Sequence, residues 1–363
     1  MLKDKLRSKI YITDEGFGPI VRQSVIIEEL KKLSRQIEFD LQLNTHIKDA
    51  ELIIKDVNYL NKFNNIIWHK NLNGSPDIDS IRNFYVNYIP SSNNYISDEL
   101  KNTSAYDFII SDFVYEAFDV ADTKKIPSFG VAHFTWDWFF SYLVNKPISN
   151  ELLDRFKQQA IKAKLLFFPP LTPKEILSTY KSKAIEVPFI VRKSTVQSRV
   201  SNDKFKILII DSGAQVLKSL ITKSLGQLSS LQEFEFYVSE NFDFQSANFK
   251  KVAKSDLMVD HILNMDLVIG RAGFNTISEC IAYRTPMLLI GEAMNPEMAE
   301  NIKQLKSLGL GEFISIEDFK NNLAVFLTSF ISTKYSEILS NMKNHQFEIN
   351  GAEVIAKKII ENI

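Results

Sequence analysis

Short apolar runs, each closed by a polar turn and followed by a helical pattern or a long connection, recur along the whole chain and narrow its fold class more than any other feature. Residues 9–13, 39–43, 106–110, 127–132 and 165–168 are such runs in the first half. Residues 205–210, 234–238, 266–269 and 287–290 repeat the pattern in the second. Strands this short and apolar, separated by helices, are expected to lie parallel in a sheet covered on both faces. After 9–13 comes Asp14-Glu15-Gly16-Phe17-Gly18-Pro19, and then Ile26, Leu30, Leu33 and Ile37 recur at the spacing of one buried helix face. Residues 39–43 alternate with period two, which predicts a half-buried strand.

Residues 187–203 break the pattern. They carry Pro188, Arg192-Lys193-Ser194-Thr195 and Ser198-Arg199-Val200-Ser201-Asn202-Asp203, polar and without helical period. The expected organisation is therefore α/β, with two Rossmann-like domains, 1–190 and 204–345, joined by a linker at 191–203 and facing an interdomain cleft. A chain of 363 residues is long enough for two cores. A final helix within 346–363 places Ile355, Ile359 and Ile360 on one face, suited to packing back on the first domain.

Charge and cysteine usage exclude several classes. Lys+Arg is 43 and Asp+Glu 44, a net charge of −1, which argues against a dedicated nucleic-acid binder. The single Cys280 excludes a disulfide framework or a thiolate metal cluster within one chain. His46, His69, His133, His261 and His345 form no pair at metal-ligand spacing, so no metal or other cofactor is expected. The first residues are too charged to precede a signal-peptide core. The greasiest stretch, 129–144, is interrupted by His133 and Asp137, whereas a span needs about 18 apolar residues. A cytoplasmic protein is expected.

The most informative run is Asp266-Leu-Val-Ile-Gly-Arg-Ala-Gly-Phe-Asn-Thr-Ile-Ser-Glu279. It reads as a buried strand, a turn over 270–275, and a helix from Thr276 that Asn275 or Thr276 can cap. Backbone N–H groups at such a helix start favour an anion, and Gly273 allows a phosphate to approach the backbone. Glu279, about one turn on, suits hydrogen bonds from a ribose diol. An ordinary capped turn with a solvated glutamate explains these residues about equally well. The run continues with Arg284-Thr285-Pro286-Met287-Leu288-Leu289-Ile290-Gly291 and Asn295-Pro296-Glu297-Met298-Ala299-Glu300-Asn301.

With these residues the chain resembles nucleotide-sugar glycosyltransferases of the GT-B fold, in particular the branch of the peptidoglycan UDP-N-acetylglucosamine transferase. That group carries Arg-x-Gly-x-x-Thr-x-x-Glu after a strand, then a small residue, Pro and three apolar residues, then a Glu/Gln-rich segment ending in Asn. Arg271, Gly273, Thr276, Glu279, Pro286, Glu297 and Asn301 match it. The resemblance implies that Gly273, Phe274, Asn275 and Thr276 hold the donor diphosphate, with Arg271 as an added cation or a brace. It also implies that Glu279 holds the ribose and that Glu297 to Asn301 lie near the donor sugar. Met298 stands where Gln is common. Ser212 and Gly213, after the first strand of the second domain, are a further candidate phosphate contact.

In the first half, Gly16-Phe17-Gly18-Pro19-Ile20-Val21-Arg22 is similar to the Gly-x-Gly-His-x-x-Arg turn of the same families, with Pro19 replacing the histidine. This places Gly16, Phe17 and Gly18 on the acceptor side. The segment 126–138, ending Phe134-Thr135-Trp136-Asp137-Trp138, is similar to a strand-end Phe-Thr/Ser-Trp-Asp motif of GT-B-like proteins and adds Trp136 to the acceptor side.

The base that deprotonates an acceptor hydroxyl is open among Glu15, Asp14, His133, Asp137 and Asp112, each at or just after an expected strand end. His133 and Asp137 can equally be packed or capping residues. The aromatic cluster of Phe134, Trp136, Trp138, Phe139, Phe140 and Tyr142 is expected mostly as core, with an acceptor platform or a membrane-edge patch as alternatives. The functions implied are a metal-independent, inverting transfer from a UDP-sugar to a saccharide or lipid-linked acceptor in cell-envelope or polysaccharide synthesis. The enzyme would then work peripherally at the inner face of the membrane. The alternatives are a sugar-nucleotide hydrolase and a catalytically silent GT-B binding or partner protein. Oligomeric state is not indicated.

Overall fold

A computed structural model describes residues 5–34, 36–64, 66–71, 75–102, 106–195, 204–210, 215–240, 246–253, 258–291 and 294–363. The chain divides into two compact units. The first takes residues 1–70, 76–190 and 349–363; the second takes 71–75 and 191–348.

The first unit is built on a parallel seven-stranded sheet. Its strands are β1 (Leu6–Tyr11), β2 (Ile37–Leu43), β3 (Asn58–Asn61), β4 (Phe108–Ser111), β5 (Ser128–Val131), β6 (Leu165–Phe168) and β7 (Ala184–Glu186). They are ordered β3-β2-β1-β4-β5-β6-β7. The second unit holds a parallel six-stranded sheet. Its strands are β8 (Phe205–Ile209), β9 (Phe234–Ser239), β10 (Phe249–Val252), β11 (Leu267–Arg271), β12 (Met287–Ile290) and β13 (Glu312–Ile314), ordered β10-β9-β8-β11-β12-β13. In both sheets the order reverses beside the first strand, between β1 and β4 and between β8 and β11. Open α/β sheets bind ligands outside the carboxyl ends of the strands at such a switch point.

The inner strands are apolar because helices cover both faces. Ile10, Ile109, Ile110 and Phe129 in the first sheet, and Val268, Ile269, Leu288 and Leu289 in the second, are inaccessible to solvent. β2 departs from the half-buried strand that its alternation predicts. Asp40 and Gln42 are only 2% and 1% exposed, because each finds partners inside. Asp40 accepts from Arg7 Nη2 at 2.8 Å, from Asn58 Nδ2 at 2.9 Å and from the Tyr106 hydroxyl. Gln42 bonds Asn64 Oδ1 at 3.0 Å and the Tyr95 hydroxyl. Ile37, expected on the preceding helix, opens β2, since the helix Gly18–Leu33 ends where Ser34 turns extended.

The helix Gly351–Ile360 belongs to the first unit. Its Ala352, Ile355, Ala356 and Ile359 share one core with Ile26, Ile27 and Leu30 of the helix Gly18–Leu33. At Gly351 the backbone approaches so closely that a Cβ would stand 2.1 Å from the Pro188 carbonyl oxygen. Among the described residues no helix is long and apolar enough to cross a membrane.

Candidate functional site

At the carboxyl ends of β1, β4 and β5 the first unit gathers most of the candidate acids and His133. Gly16 makes the bend after β1 with φ +75°, a left-handed conformation that favours glycine. Phe17 precedes the helix Gly18–Leu33, and Pro19 sits in its first turn, where a missing N–H leaves no helical bond unmade. Phe17 meets the His46 ring edge-on at 6.2 Å.

The acids beside this turn have different occupations. Asp14 Oδ1 accepts the Asn44 and Thr45 N–H groups at 2.7 and 2.8 Å, and Oδ2 accepts the Asn64 N–H at 3.0 Å. It therefore ties the ends of β1 and β2 to the chain after β3. Asp112 takes a bidentate guanidinium, Arg22 Nη2 to Oδ1 at 2.6 Å and Nε to Oδ2 at 2.9 Å, and also Gln23 Nε2 at 3.1 Å. Arg22 Nη1 lies 3.5 Å from Nδ1 of the buried His133. Asp137 accepts the Tyr115 and Tyr180 hydroxyls at 2.7 and 2.8 Å inside the core, where burial pushes its carboxyl upward against their pull.

Glu15 differs from these three. Its side chain keeps 18% of its surface exposed, accepts the Trp68 N–H at 2.7 Å and lies 3.5 Å from Lys70 Nζ. Burial raises its carboxyl above the ordinary range, although Lys70 and the Trp68 N–H oppose the rise. Trp136, 6% exposed, packs on Phe134, Phe139 and Phe140, so its ring serves the core. Of the neighbouring rings Tyr142 is the exposed one, at 57%.

In the second unit, the strand–turn–helix run lies at the switch-point strand. β11 continues through Gly270 and Arg271, and the helix spans Phe274–Tyr283 with Gly273 as its N-cap and no side-chain cap. The helix thus begins two residues before the expected Thr276. Asn275 and Thr276 lie inside its first turn and do not cap it, which leaves the helix's positive end framed by backbone. Asn301 is 2% exposed and donates Nδ2 to the Ala272 carbonyl at 2.9 Å, bracing the turn from the helix Pro296–Leu308. Glu297 stands in the first turn of that helix, which Asn295 caps by accepting the Met298 N–H at 3.2 Å. Met298 is buried and packs inward. Ser212 and Gly213 lie outside the described residues.

Glu279, 4% exposed, accepts Arg192 Nε on Oε1 at 2.8 Å. Arg192 was legible only as part of a polar linker, since nothing local to residues 192–195 points to a carboxylate far along the chain. Residues 192–195 are bound within the second unit. Tyr283 donates its hydroxyl to the Arg192 carbonyl at 2.9 Å and accepts the Ser194 N–H at 2.8 Å. Asp260 takes the Ser194 and Thr195 hydroxyls and the Thr195 N–H.

Residues 212–359 match the model of the glycosyltransferase family 28 C-terminal domain. The UDP-N-acetylglucosamine–N-acetylmuramyl-(pentapeptide) pyrophosphoryl-undecaprenol N-acetylglucosamine transferase of Thermosipho melanesiensis is 24% identical over 165 residues, 44% of this chain and 47% of that protein. The same transferase of Pelagibacter ubique is 27% identical over 206 residues, 51% of this chain and 57% of that protein. The chain spans about half the length of the curated relatives it matches. Solved structures agree in fold over nearly the whole chain. The glycotransferase of kitacinnamycin has a TM-score of 0.67 at 11% identity, covering 98% of this chain and 99% of its own. MurG of Acinetobacter baumannii has 0.59 at 14%, with the same coverage. The spinosyn rhamnosyltransferase SpnG complexed with thymidine diphosphate has 0.66 at 11%, covering 98% and 100%. Two parallel Rossmann-like sheets, the strand–turn–helix run after β11 and these likenesses give the chain a GT-B fold, with a match to the glycosyltransferase family 28 C-terminal domain in its second half and a resemblance to the peptidoglycan N-acetylglucosamine transferases.

Proposed function

We propose that this chain is a glycosyltransferase that moves a hexosyl or N-acetylhexosaminyl group from a UDP-sugar to a hydroxyl of a saccharide or lipid-linked acceptor. The observation that carries this reading is the family 28 match over 212–359, which includes the helix Phe274–Tyr283 and Glu279. The first turn of that helix, with Gly273, receives the diphosphate, and Arg271 adds positive charge. Helix dipole and cation thus meet the charge that grows as the C1–O bond to UDP breaks, without need of a metal. Ser212 and Gly213 join that contact. Glu279 receives the ribose hydroxyls, while Glu297 reaches the donor sugar and Asn301 keeps the turn in place.

On the acceptor side Gly16, Phe17 and Gly18 border Glu15, which takes the proton from the acceptor hydroxyl as its oxygen attacks C1. The attack inverts the anomeric centre and UDP leaves with the bonding pair. A carboxyl raised by burial suits a base working near neutral pH, whereas Asp14, Asp112 and Asp137 are engaged in holding structure. A lipid-linked acceptor would place the enzyme at the inner face of the cytoplasmic membrane.

Thermal unfolding with and without UDP tests the reading. UDP at 100 times its Kd stabilises the fold by about 2.7 kcal/mol, and UDP release from donor then depends on an acceptor. The absence of any shift with UDP rejects the proposal, and acceptor-independent release of free sugar identifies a hydrolase. Pro19, in the helix turn where the resemblance expects a histidine, favours one second reading: a silent GT-B protein that binds nucleotide and turns nothing over.

A further inference from the structure

Glu279 is a carboxylate in an almost closed position, and a buried charge is stable there only with a partner. Arg192 is that partner, and the two oxygens of Glu279 are used unequally. Oε1 takes the Arg192 Nε–H at 2.8 Å, while Oε2 accepts no hydrogen bond from any described residue. The backbone that launches Arg192 is itself fixed. The Tyr283 hydroxyl bonds both the Arg192 carbonyl and the Ser194 N–H, and Tyr283 ends the same helix that carries Glu279. Asp260 anchors Ser194 and Thr195 next to it. Arginine, helix and carboxylate therefore form a closed frame that sets where Oε2 points.

We propose that Arg192 is a positioning residue for nucleotide recognition. By holding Glu279 in one rotamer through Oε1, it presents Oε2 to the vicinal hydroxyls of the donor ribose, so discrimination of ribo- from deoxyribonucleoside diphosphates depends on it. The inference rests on the reading of Glu279 as the ribose ligand and extends it to a residue outside the helix and turn that hold the donor. Arg192 need not touch the nucleotide: its effect passes through the carboxylate.

The test is calorimetric titration of the full chain with UDP and with 2′,3′-dideoxyuridine diphosphate. Hydrogen bonds to a charged carboxylate predict that the unaltered protein binds UDP about 10- to 100-fold more tightly than the dideoxy compound. Arg192→Ala and Glu279→Ala should each bring that ratio close to one. Affinity for the dideoxy compound, which also reports that each variant is folded, should change less than about threefold. Arg192→Lys should restore part of the ratio, since an ammonium can pair with Oε1 but lacks the planar fork. An Arg192→Ala variant that weakens both ligands equally overturns the proposal while leaving Glu279 as the ribose ligand. A ratio unmoved by Glu279→Ala, or no binding of either compound by the unaltered protein, overturns both.

Discussion

The two sheets share a topology and differ in what they bury. Behind the first lie Lys9, Asp14, Arg22, Asp40, Glu99, Asp112, Glu116 and Asp137, all below 9% exposure. They are woven into clusters such as Lys9–Glu99 at 2.5 Å with the Tyr11 hydroxyl on the same oxygen at 2.6 Å and Lys62 on the other. Among the described residues of the second unit, the buried charged side chains are Lys206 and Glu279. A buried carboxylate among many mutually satisfied ones says little about function, because structure alone accounts for it. One carboxylate within an apolar interior, paired through a single oxygen, is informative. The difference explains why the proposed nucleotide contact rests on one named residue, Glu279, while the proposed base in the first unit has to be separated from its neighbours by occupation.

The sharpest way to break that comparison is to treat Glu15 as one more structural acid. Glu15→Gln should lower kcat by about 10²–10⁴-fold with UDP affinity retained, since the amide can still accept the Trp68 N–H. A base acts ionised, so the activity of the unaltered enzyme should rise with pH through a value above the usual glutamate range, in line with the raised carboxyl. That limb should be missing from whatever activity the glutamine variant keeps, and unchanged turnover would return Glu15 to the structural group. Asp112→Ala should show the opposite profile. Stranding Arg22 in the interior costs about 3–5 kcal/mol, readable as a loss of hydrogen-exchange protection confined to the first unit. Leu289→Ala probes the apolar interior, where lost transfer and a cavity cost about 2–5 kcal/mol without added pH dependence. Gly351→Ala should destabilise the first unit by about 1–3 kcal/mol, since the new methyl meets backbone that cannot yield like a side chain. The smallest effect is acid sensitivity. Burial would raise the Glu99 carboxyl, but Lys9, Lys62 and Tyr11 together hold it below its ordinary value. The stability it contributes is full above the unfolded glutamate value and is lost as pH falls through the lower folded one. A Glu99→Gln variant should therefore lose less stability than the parent between neutral and strongly acid pH.

The limits of reading this fold from sequence follow the sheets outward. The inner strands β4, β5, β6, β8, β11 and β12 stand out as apolar runs, because both of their faces are covered. The edges β3, β7, β10 and β13 escape notice, being three or four residues long and half-exposed. Alternation in β2 misleads for a related reason: Asp40 and Gln42 look like a solvent face, and only partners far along the chain show that they are interior. At the candidate sites, one local strand–turn–helix pattern is enough to nominate Gly273 and Glu279. No such pattern nominates Arg192, because its meaning depends on a contact across 87 positions of chain. The occupations of Asp14, Asp112 and Asp137 are equally non-local, so sequence could nominate the acids but not sort them.

The helix Gly351–Ile360 has a bearing on how the protein is made. The first unit is interrupted after residue 190 and resumes at 349, so the second unit is an insertion within it. Its hydrophobic core still lacks Ala352, Ile355, Ala356 and Ile359 when residue 348 has been synthesised. At about 5–20 residues per second, the ribosome spends about 8–30 s producing residues 191–348 while that apolar face waits uncovered. Through this interval that apolar face of the first unit stays uncovered, whereas the second unit has every strand of its sheet once residue 314 has been made. Order of emergence and order of completion are therefore reversed.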